Sequence, residues 1–116
     1  KQTIAKKYDE QLDGYVYVHK PTNGLNHTYH KYIIRFDEGD PVESSEARDR
    51  IKSKIGAGVH YEKPISERPM YKNIEHRSDN CKNAKYVSKT ILTLPIHPWL
   101  TDEEIKDTCN GILNNL

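Results

Sequence analysis

The side chains best suited to chemistry in this chain are imidazole, phenol and guanidinium groups on a few short segments: His27, His30, Arg35, His60, Tyr61 and Arg68. His60 and Tyr61 come shortly after the flexible run Gly56-Ala57-Gly58 and just before a long loop with two prolines. A strand end beside mobile backbone is a common location for side chains that contact a ligand. We therefore expect ligand binding at His60 and Tyr61. The alternative is a structural histidine bonded to a neighbouring carbonyl group.

The motifs of complete active sites are absent from the sequence. It contains no glycine-rich phosphate loop, no His-Glu-x-x-His helix and no nucleophile elbow. Cys81 and Cys109 lack the spacing of a zinc site, and we expect two reduced thiols in helices rather than a disulfide. His30 and Arg35 lie on opposite faces of their predicted strand, so they cannot line one pocket through it, and Arg35 also fits a surface ion pair. The sequence predicts no catalytic residue and no metal site.

The composition suits a single domain with a modest core. The chain has 116 residues, of which 34% are hydrophobic and 30% charged, and its formal net charge is +1. No basic tract indicates nucleic-acid binding, and no apolar stretch is long enough to span a membrane. Because no hydrophobic targeting region is found, we expect a cytoplasmic protein. The eight tyrosines suit a half-wet surface or an interface better than a dry core.

Hydrophobic periodicity predicts four helices, at residues 1–12, 42–55, 78–89 and 101–113, with Ser78 or Asp79 as the cap of the third. The positions expected to face the core are Ile4, Ala5, Tyr8, Leu12, Val42, Ala47, Ile51, Ile55, Ala84, Val87, Ile91, Ile105, Cys109 and Ile112.

The strands are predicted from alternation and β-branched or aromatic residues. They lie at residues 15–19, 29–36 and 59–61, with another short apolar strand at the start of segment 93–104. In the second of these, Tyr32, Ile34 and Phe36 point to one side. Residues 62–77 form a long irregular loop, and such loops in small domains often bind ligands or act as lids.

Segment 93–104 is the best-defined corner of the chain. Leu94, Ile96, Trp99 and Leu100 are apolar enough that we expect them to be buried. Pro95 and Pro98 fix the backbone of a turn between a strand and a helix. Thr101 and Glu104 have the spacing of a capping box at the start of the last helix.

The order of elements predicts an α+β fold with a small, mostly antiparallel sheet covered by helices on one face. We expect a sheet of ~4 strands whose other face is solvated or contacts a partner.

Four segments also resemble a known family. Residues 55–71 and 83–105 resemble the C-terminal region of the DegT/DnrJ family, which are pyridoxal-phosphate-dependent sugar aminotransferases of the aspartate-aminotransferase fold. Residues 27–36 are similar to the family's His-x-x-His-x-Tyr strand, and residues 4–12 to its Tyr-x-x-x-Leu helix. The resemblance covers nearly the whole chain. It identifies residues 1–116 as the single C-terminal small domain of a larger subunit.

The resemblance implies an enzyme that transfers an amino group, from glutamate, to a nucleotide-linked keto-sugar. Pyridoxal phosphate would be bound by the catalytic large domain, whose motifs are absent here, so this chain alone would be inactive. Its implied partners are its own large domain, a second copy of the full-length enzyme in a homodimer, and the nucleotide-sugar. The implied substrate-binding residues are His60, Tyr61 and Arg68.

The loop after His60 departs from the family pattern His-Tyr-Pro-x-Pro-x-His-x-Gln-Pro-x-Tyr. Glu62, Ser66 and Arg68 stand where the family has proline, histidine and glutamine. These changes indicate a different keto-sugar or a degenerate loop, and Arg68 could bind the nucleotide diphosphate by a bidentate contact. Two further readings stay open: a stand-alone binding module with this fold, and part of a sugar dehydratase that uses the same cofactor.

Overall fold

A small antiparallel sheet lies at the centre of the protein. The structure, a computed structural model, describes residues 1–37, 41–74 and 81–116. Within these residues the strands are β1 (Tyr17–Val18), β2 (Tyr32–Arg35) and β3 (Ile91–Leu94), in the order β1-β2-β3. Ile34 of β2 pairs with Val18 on one side and with Leu92 on the other.

Helices precede, separate and follow the strands. They are α1 (Gln2–Leu12), α2 (Pro41–Ile55), the single turn α3 (Pro69–Lys72), α4 (Lys82–Thr90) and α5 (Asp102–Leu113), with a 3-10 turn at Ile65–Glu67. The four helices predicted from periodicity are therefore present, and the α+β fold class is confirmed. The predicted caps Ser78 and Asp79 lie outside the described residues. Cys81, at φ 37°, precedes α4 and is not helical, contrary to expectation.

One face of the sheet forms the hydrophobic core with α1, α2 and α5. Tyr32, Ile34 and Phe36 all point into it, as the alternation predicts, together with Leu92 and Leu94. The helices contribute the predicted residues Ile4, Ala5, Tyr8, Leu12, Ala47, Ile51, Ile105, Cys109 and Ile112. The expectation that the tyrosines avoid a dry core is wrong for two of them. Tyr8 is fully buried and donates to the Pro95 carbonyl (2.6 Å), and buried Tyr32 donates to Asp9 (2.6 Å).

The corner between β3 and α5 is built as predicted. The Thr101 hydroxyl accepts from the Glu104 N–H (3.1 Å), and the Glu104 carboxylate accepts from the Thr101 N–H (2.9 Å). The Leu100 N–H donates to the His97 carbonyl (3.1 Å), which closes the turn. Trp99 is the exception, because its side chain is 83% exposed. Hydrogen bonds at the cap, rather than burial of the indole, define this corner.

Three other apolar side chains also lie further out than predicted. Val42 is 65% exposed, Ala84 is exposed, and Val87 is half-buried. The buried residues of α4 are instead Ser88 and Thr90. The helix packs against α2. Arg48 of α2 donates to the carbonyls of Ser88 (3.3 Å) and Ile91 (3.4 Å) at this contact. Polar contacts thus hold α4 where an apolar stripe was expected.

The predicted strand at residues 59–61 does not form. Gly58 makes an isolated antiparallel bridge to Thr93, whose N–H donates to the Gly58 carbonyl (2.9 Å). His60 and Tyr61 already lie in the turn that follows. Because the pairing stops after one residue, the described sheet has three strands rather than about four. Its outer edge at β3 carries this turn instead of a fourth strand.

Candidate functional site

The turn after Gly58 places His60 against β3. The Nδ1 atom of His60 lies 3.0 Å from the Thr93 hydroxyl oxygen, and a Cβ added at Gly58 would be 3.4 Å from His60 Cε1. The imidazole therefore packs over Gly58 and is bonded to the sheet. The peptide bond between His60 and Tyr61 is cis. The Tyr61 ring stands edge-on to the imidazole, with 5.3 Å between the ring centroids, and is 61% exposed.

Arg68 reaches back from the end of the 3-10 turn to Tyr61. Its guanidinium carbon lies 5.4 Å from the centroid of the Tyr61 ring, which is within the range of a cation–π contact. The two side chains share a cleft of ≈ 280 Å³ with Val59, Glu62, Lys63 and Pro69. The structure therefore brings Arg68 and Tyr61 together across seven residues of sequence.

His60 and Tyr61 also line a second, more apolar space beside α4. This groove of ≈ 300 Å³ is bounded by His60, Tyr61, Lys63, Pro64, Ile65, Ala84, Val87, Ser88 and Ile91. Tyr61 and Lys63 separate the groove from the cleft that holds Arg68. The three predicted site residues thus form one continuous surface, with His60 in the groove, Arg68 in the cleft and Tyr61 in both.

The charges around the cleft favour an anion. The Glu62 carboxylate accepts from Lys52 of α2 (3.0 Å), and this hydrogen bond holds the pKa of Glu62 below its usual range. Glu62 is therefore held toward α2 as a carboxylate. Lys63 and Arg68 supply the cationic groups of the cleft lining. Guanidinium and ammonium groups beside an aromatic ring suit a phosphate or a carboxylate on a planar or sugar-linked ligand.

The other candidate side chains do not share this site. Arg35 donates to Asp37 through Nε (3.1 Å) and Nη2 (2.9 Å), and its guanidinium lies 4.2 Å from the centre of the Tyr17 ring. The hydrogen bonds from Arg35 lower the pKa of Asp37, so the pair is ionic. The contact of the Arg35 guanidinium with the Tyr17 ring connects β2 to β1. His27 Nδ1 accepts from the Tyr29 N–H (2.8 Å) in a separate small cleft of ≈ 100 Å³. Arg35 therefore forms a structural ion pair, which was the alternative to a role in ligand binding.

Thr93 belongs to the site although the sequence does not predict it there. Thr93 is the polar member of the strand Ile91–Leu94, and the alternation along β3 places it on the face away from the core. That signal locates its hydroxyl on the outer face. It does not show that His60, 33 positions away, lies there too.

Pyridoxal phosphate does not fit the clefts of the described residues. A cofactor site of this kind needs a lysine, a phosphate cradle and a partner for the pyridine nitrogen in one enclosed space. The cleft beside Arg68 is open to solvent rather than enclosed. Glu62 is the carboxylate among the residues that line this cleft, and it is already paired with Lys52. Across residues 1–37, 41–74 and 81–116 no cluster of three metal-ligating side chains occurs. No helix in that part of the chain is both apolar and long enough to cross a membrane.

Comparison with known proteins extends over nearly the whole chain. GDP-perosamine synthase of Vibrio cholerae is 28% identical over 115 residues, and the spore coat polysaccharide biosynthesis protein SpsC of Bacillus subtilis is 27% identical over 119. These matches cover 98% and 97% of this chain but only 31% and 30% of the two relatives. The chain therefore spans about a third of the length of these relatives.

A solved structure shows the same fold. The putative sugar aminotransferase Spr1654 from Streptococcus pneumoniae, in its PMP form, aligns with a TM-score of 0.81 and 28% identity over 96% of this chain and 28% of that one. In addition, residues 1–113 match the family described as DegT/DnrJ/EryC1/StrS aminotransferases. Since that match includes nearly every residue, the chain belongs to the DegT/DnrJ/EryC1/StrS aminotransferase family.

Proposed function

We propose that residues 1–116 are the C-terminal small domain of an aminotransferase that moves an amino group from glutamate to a nucleotide-linked keto-sugar. The observation that carries the proposal is the family match over residues 1–113, in a chain that covers only about 30% of its relatives. The family depends on pyridoxal phosphate, and one relative is named for the GDP-sugar that it makes. On this proposal a large domain outside this sequence holds the cofactor, and two cytoplasmic subunits form a homodimer.

In this scheme the small domain binds and orients the sugar nucleotide. Arg68 holds the diphosphate through two parallel N–H groups, since a guanidinium matches two phosphate oxygens. Tyr61 presents its exposed ring between the cleft and the groove, and His60 offers a hydrogen bond to the sugar. The apolar wall of Ile65 and Val87 excludes water from one side of the ligand. When bound, the cofactor supplies the electron sink for amino transfer.

The decisive experiment uses the full-length protein that contains this chain. With pyridoxal phosphate, glutamate and a nucleotide-linked keto-sugar, mass spectrometry should find an amino group on the sugar and one equivalent of 2-oxoglutarate. A deoxygenated sugar that carries no amino group, with glutamate consumed as the two-electron reductant, would instead support the dehydratase reading. If the full-length protein binds no cofactor and changes neither substrate, the chain is a binding module and the proposed enzyme function is wrong.

Arg68→Gln tests the role of the cleft within that enzyme. We expect the dissociation constant of the nucleotide-sugar to rise about 10- to 100-fold, because a hydrogen bond to a charged group contributes about 1.5–3 kcal/mol. Arg50→Gln is the matched control, since Arg50 donates to the Asn115 carbonyl (2.9 Å) and does not line the cleft. Isothermal titration calorimetry with the nucleotide-sugar measures both variants. Equal affinities for Arg68→Gln and the unmodified protein would show that Arg68 does not hold the diphosphate.

A further inference from the structure

Thr93 fastens the turn that carries His60 to the sheet at two points. Its N–H donates to the Gly58 carbonyl (2.9 Å), and its hydroxyl oxygen lies 3.0 Å from His60 Nδ1. Thr93 is itself 9% exposed and pairs with Ile33 in the middle of β3. A buried residue of a paired strand has little freedom to move. The position of the imidazole is therefore set by the sheet, although the turn itself forms no strand.

The direction of the hydrogen bond follows from the needs of the hydroxyl group. Among the described residues, His60 Nδ1 is the hydrogen-bond partner of the Thr93 side chain. If Nδ1 carried the proton of a neutral ring, the Thr93 hydroxyl proton would be left near the protein interior without that acceptor. A buried donor without an acceptor is destabilising, because it has given up its hydrogen bond to water and gains none in the protein. Donation from Thr93 to Nδ1 avoids this cost and requires Nε2 to carry the proton of the neutral imidazole.

We propose that Thr93 is a positioning residue for His60: its hydroxyl donates to Nδ1, orients the ring and holds the neutral imidazole in the form protonated at Nε2. His60 then presents an N–H donor at its far nitrogen in both charge states, because the charged ring is protonated there as well. A donor of this kind suits an oxygen atom of a ligand, such as a sugar hydroxyl, a keto group or a phosphate oxygen. That this N–H group binds the sugar nucleotide rests on the proposed function. Which nitrogen of neutral His60 carries the proton does not depend on it.

Nuclear magnetic resonance on the full-length protein that contains this chain tests the proposal directly. Histidine is labelled with ¹⁵N, and long-range ¹H–¹⁵N correlations are recorded at a pH where the imidazoles are neutral. His60→Gln identifies the His60 signals by their loss. We expect Nε2 to be the protonated nitrogen of His60. A spectrum with the proton on Nδ1 would overturn the proposal without any variant of Thr93 being needed.

Two variants of Thr93 separate the hydroxyl from the rest of the side chain. Thr93→Val keeps the branched shape that suits a strand but removes the hydroxyl, and Thr93→Ser keeps the hydroxyl. We expect Thr93→Val to show a mixture of the two neutral forms and Thr93→Ser to keep the Nε2–H form. The amide signal of residue 93 reports whether the bond to Gly58 persists in both. An unchanged His60 spectrum in Thr93→Val would contradict a positioning role.

The effect on binding is measured separately in the full-length protein. We expect Thr93→Val to raise the dissociation constant of the nucleotide-sugar about three- to tenfold, as for the loss of one hydrogen bond, and Thr93→Ser to restore it. Equal affinities in all three proteins would overturn the step from ring orientation to sugar binding. Since the ring form needs neither cofactor nor substrate, its failure and the failure of the aminotransferase proposal are distinguishable.

Discussion

The two sides of the sheet are built by different physical rules. On the helix-covered side, Ile34 and Leu92 are 0% exposed and packed within one continuous cluster. On the other side, the segment of residues 60–74 leaves large apolar side chains in solvent, with Ile65 72% and Met70 73% exposed. The first side is determined by the removal of apolar surface from water. The second keeps apolar surface accessible, a pattern that marks ligand-binding and contact surfaces.

The difference also concerns what holds each region in place. The inner face depends on many small contacts, which no single hydrogen bond dominates. The turn that carries His60 depends on the two contacts with Thr93, and Glu62 adds an exposed ion pair with Lys52. Segments with few buried contacts open at lower free energy than the core. The candidate site is therefore expected to be the more adaptable region.

A matched pair of isoleucine variants would break or support this comparison most strongly. We expect Ile34→Ala to lower the free energy of unfolding by about 2–5 kcal/mol, because it leaves a cavity in the core. Ile65→Ala should change it by no more than about 0.5 kcal/mol, since the side chain is largely in solvent. Urea denaturation followed by far-ultraviolet circular dichroism measures both. Similar losses for the two variants would mean that residues 60–74 belong to the core.

The contact between α5 and the end of α2 tests how tightly the inner side is packed. A Cβ added at Gly111 would lie 2.5 Å from Ile55 Cγ2, so Gly111→Ala forces the two helices or the isoleucine to shift. Overpacking costs about 1–3 kcal/mol, and the better helix propensity of alanine offsets about 1 kcal/mol of it. We expect a net loss of about 0–2 kcal/mol in urea denaturation. In an Ile55→Ala background the same change should cost nothing; an equal cost there would place the strain elsewhere.

The parts of the fold that the sequence predicts well are those where local and long-range preferences agree. Alternation at Tyr32, Ile34 and Phe36 identifies the buried face of β2, and the Thr101 and Glu104 spacing identifies the start of α5. A hydrophobic alternation or a helix-capping motif can be recognised from neighbouring residues alone, whatever the rest of the chain does. The periodicity of α1 also predicts that Tyr8 faces the core, but it cannot predict the partner of the Tyr8 hydroxyl, because that acceptor is a carbonyl 87 positions away.

The candidate site shows the same limit. The sequence predicts ligand-facing residues near His60 from the glycines before it and the loop after it, and the structure groups His60, Tyr61 and Arg68 along one surface. Strand propensity at residues 59–61 gave the wrong local structure, because the chain turns after a single bridge to Thr93. The role of Thr93 required the fold, since only the packing of the turn on β3 brings its hydroxyl to the imidazole.

Alkaline pH should weaken the inner side selectively. Burial raises the pKa of Tyr8 to about 12 and that of the Cys109 thiol to about 11, from ordinary values of 10.0 and 9.0. The unfolded chain therefore loses these protons first. The stabilisation from both groups is complete below about pH 9 and decreases as the pH rises toward 12. We expect the free energy of unfolding, measured by urea denaturation at a series of pH values, to fall over this range.

Tyr8→Phe separates the tyrosine from the thiol in that pH profile. At neutral pH it should cost about 1 kcal/mol, for the hydrogen bond to the Pro95 carbonyl. Its alkaline decline should be shallower than that of the unmodified chain, because one raised pKa is removed. Tyr15→Phe is the control, since Tyr15 is 64% exposed and should leave the profile unchanged. Parallel profiles for Tyr8→Phe and the unmodified chain would mean that Tyr8 ionises equally readily in both states.

Trp99 lies in the exposed turn between β3 and α5, and its variant should have the smallest effect. Its apolar ring was expected in the core, yet it is 83% exposed while its neighbour Leu100 packs against the cluster. We expect Trp99→Ala to change the free energy of unfolding by no more than about 0.5 kcal/mol. Since the chain has one tryptophan, its fluorescence should be quenched freely by acrylamide. A protected indole, or a loss near the 3–5 kcal/mol of a buried tryptophan, would mean that the core includes this turn.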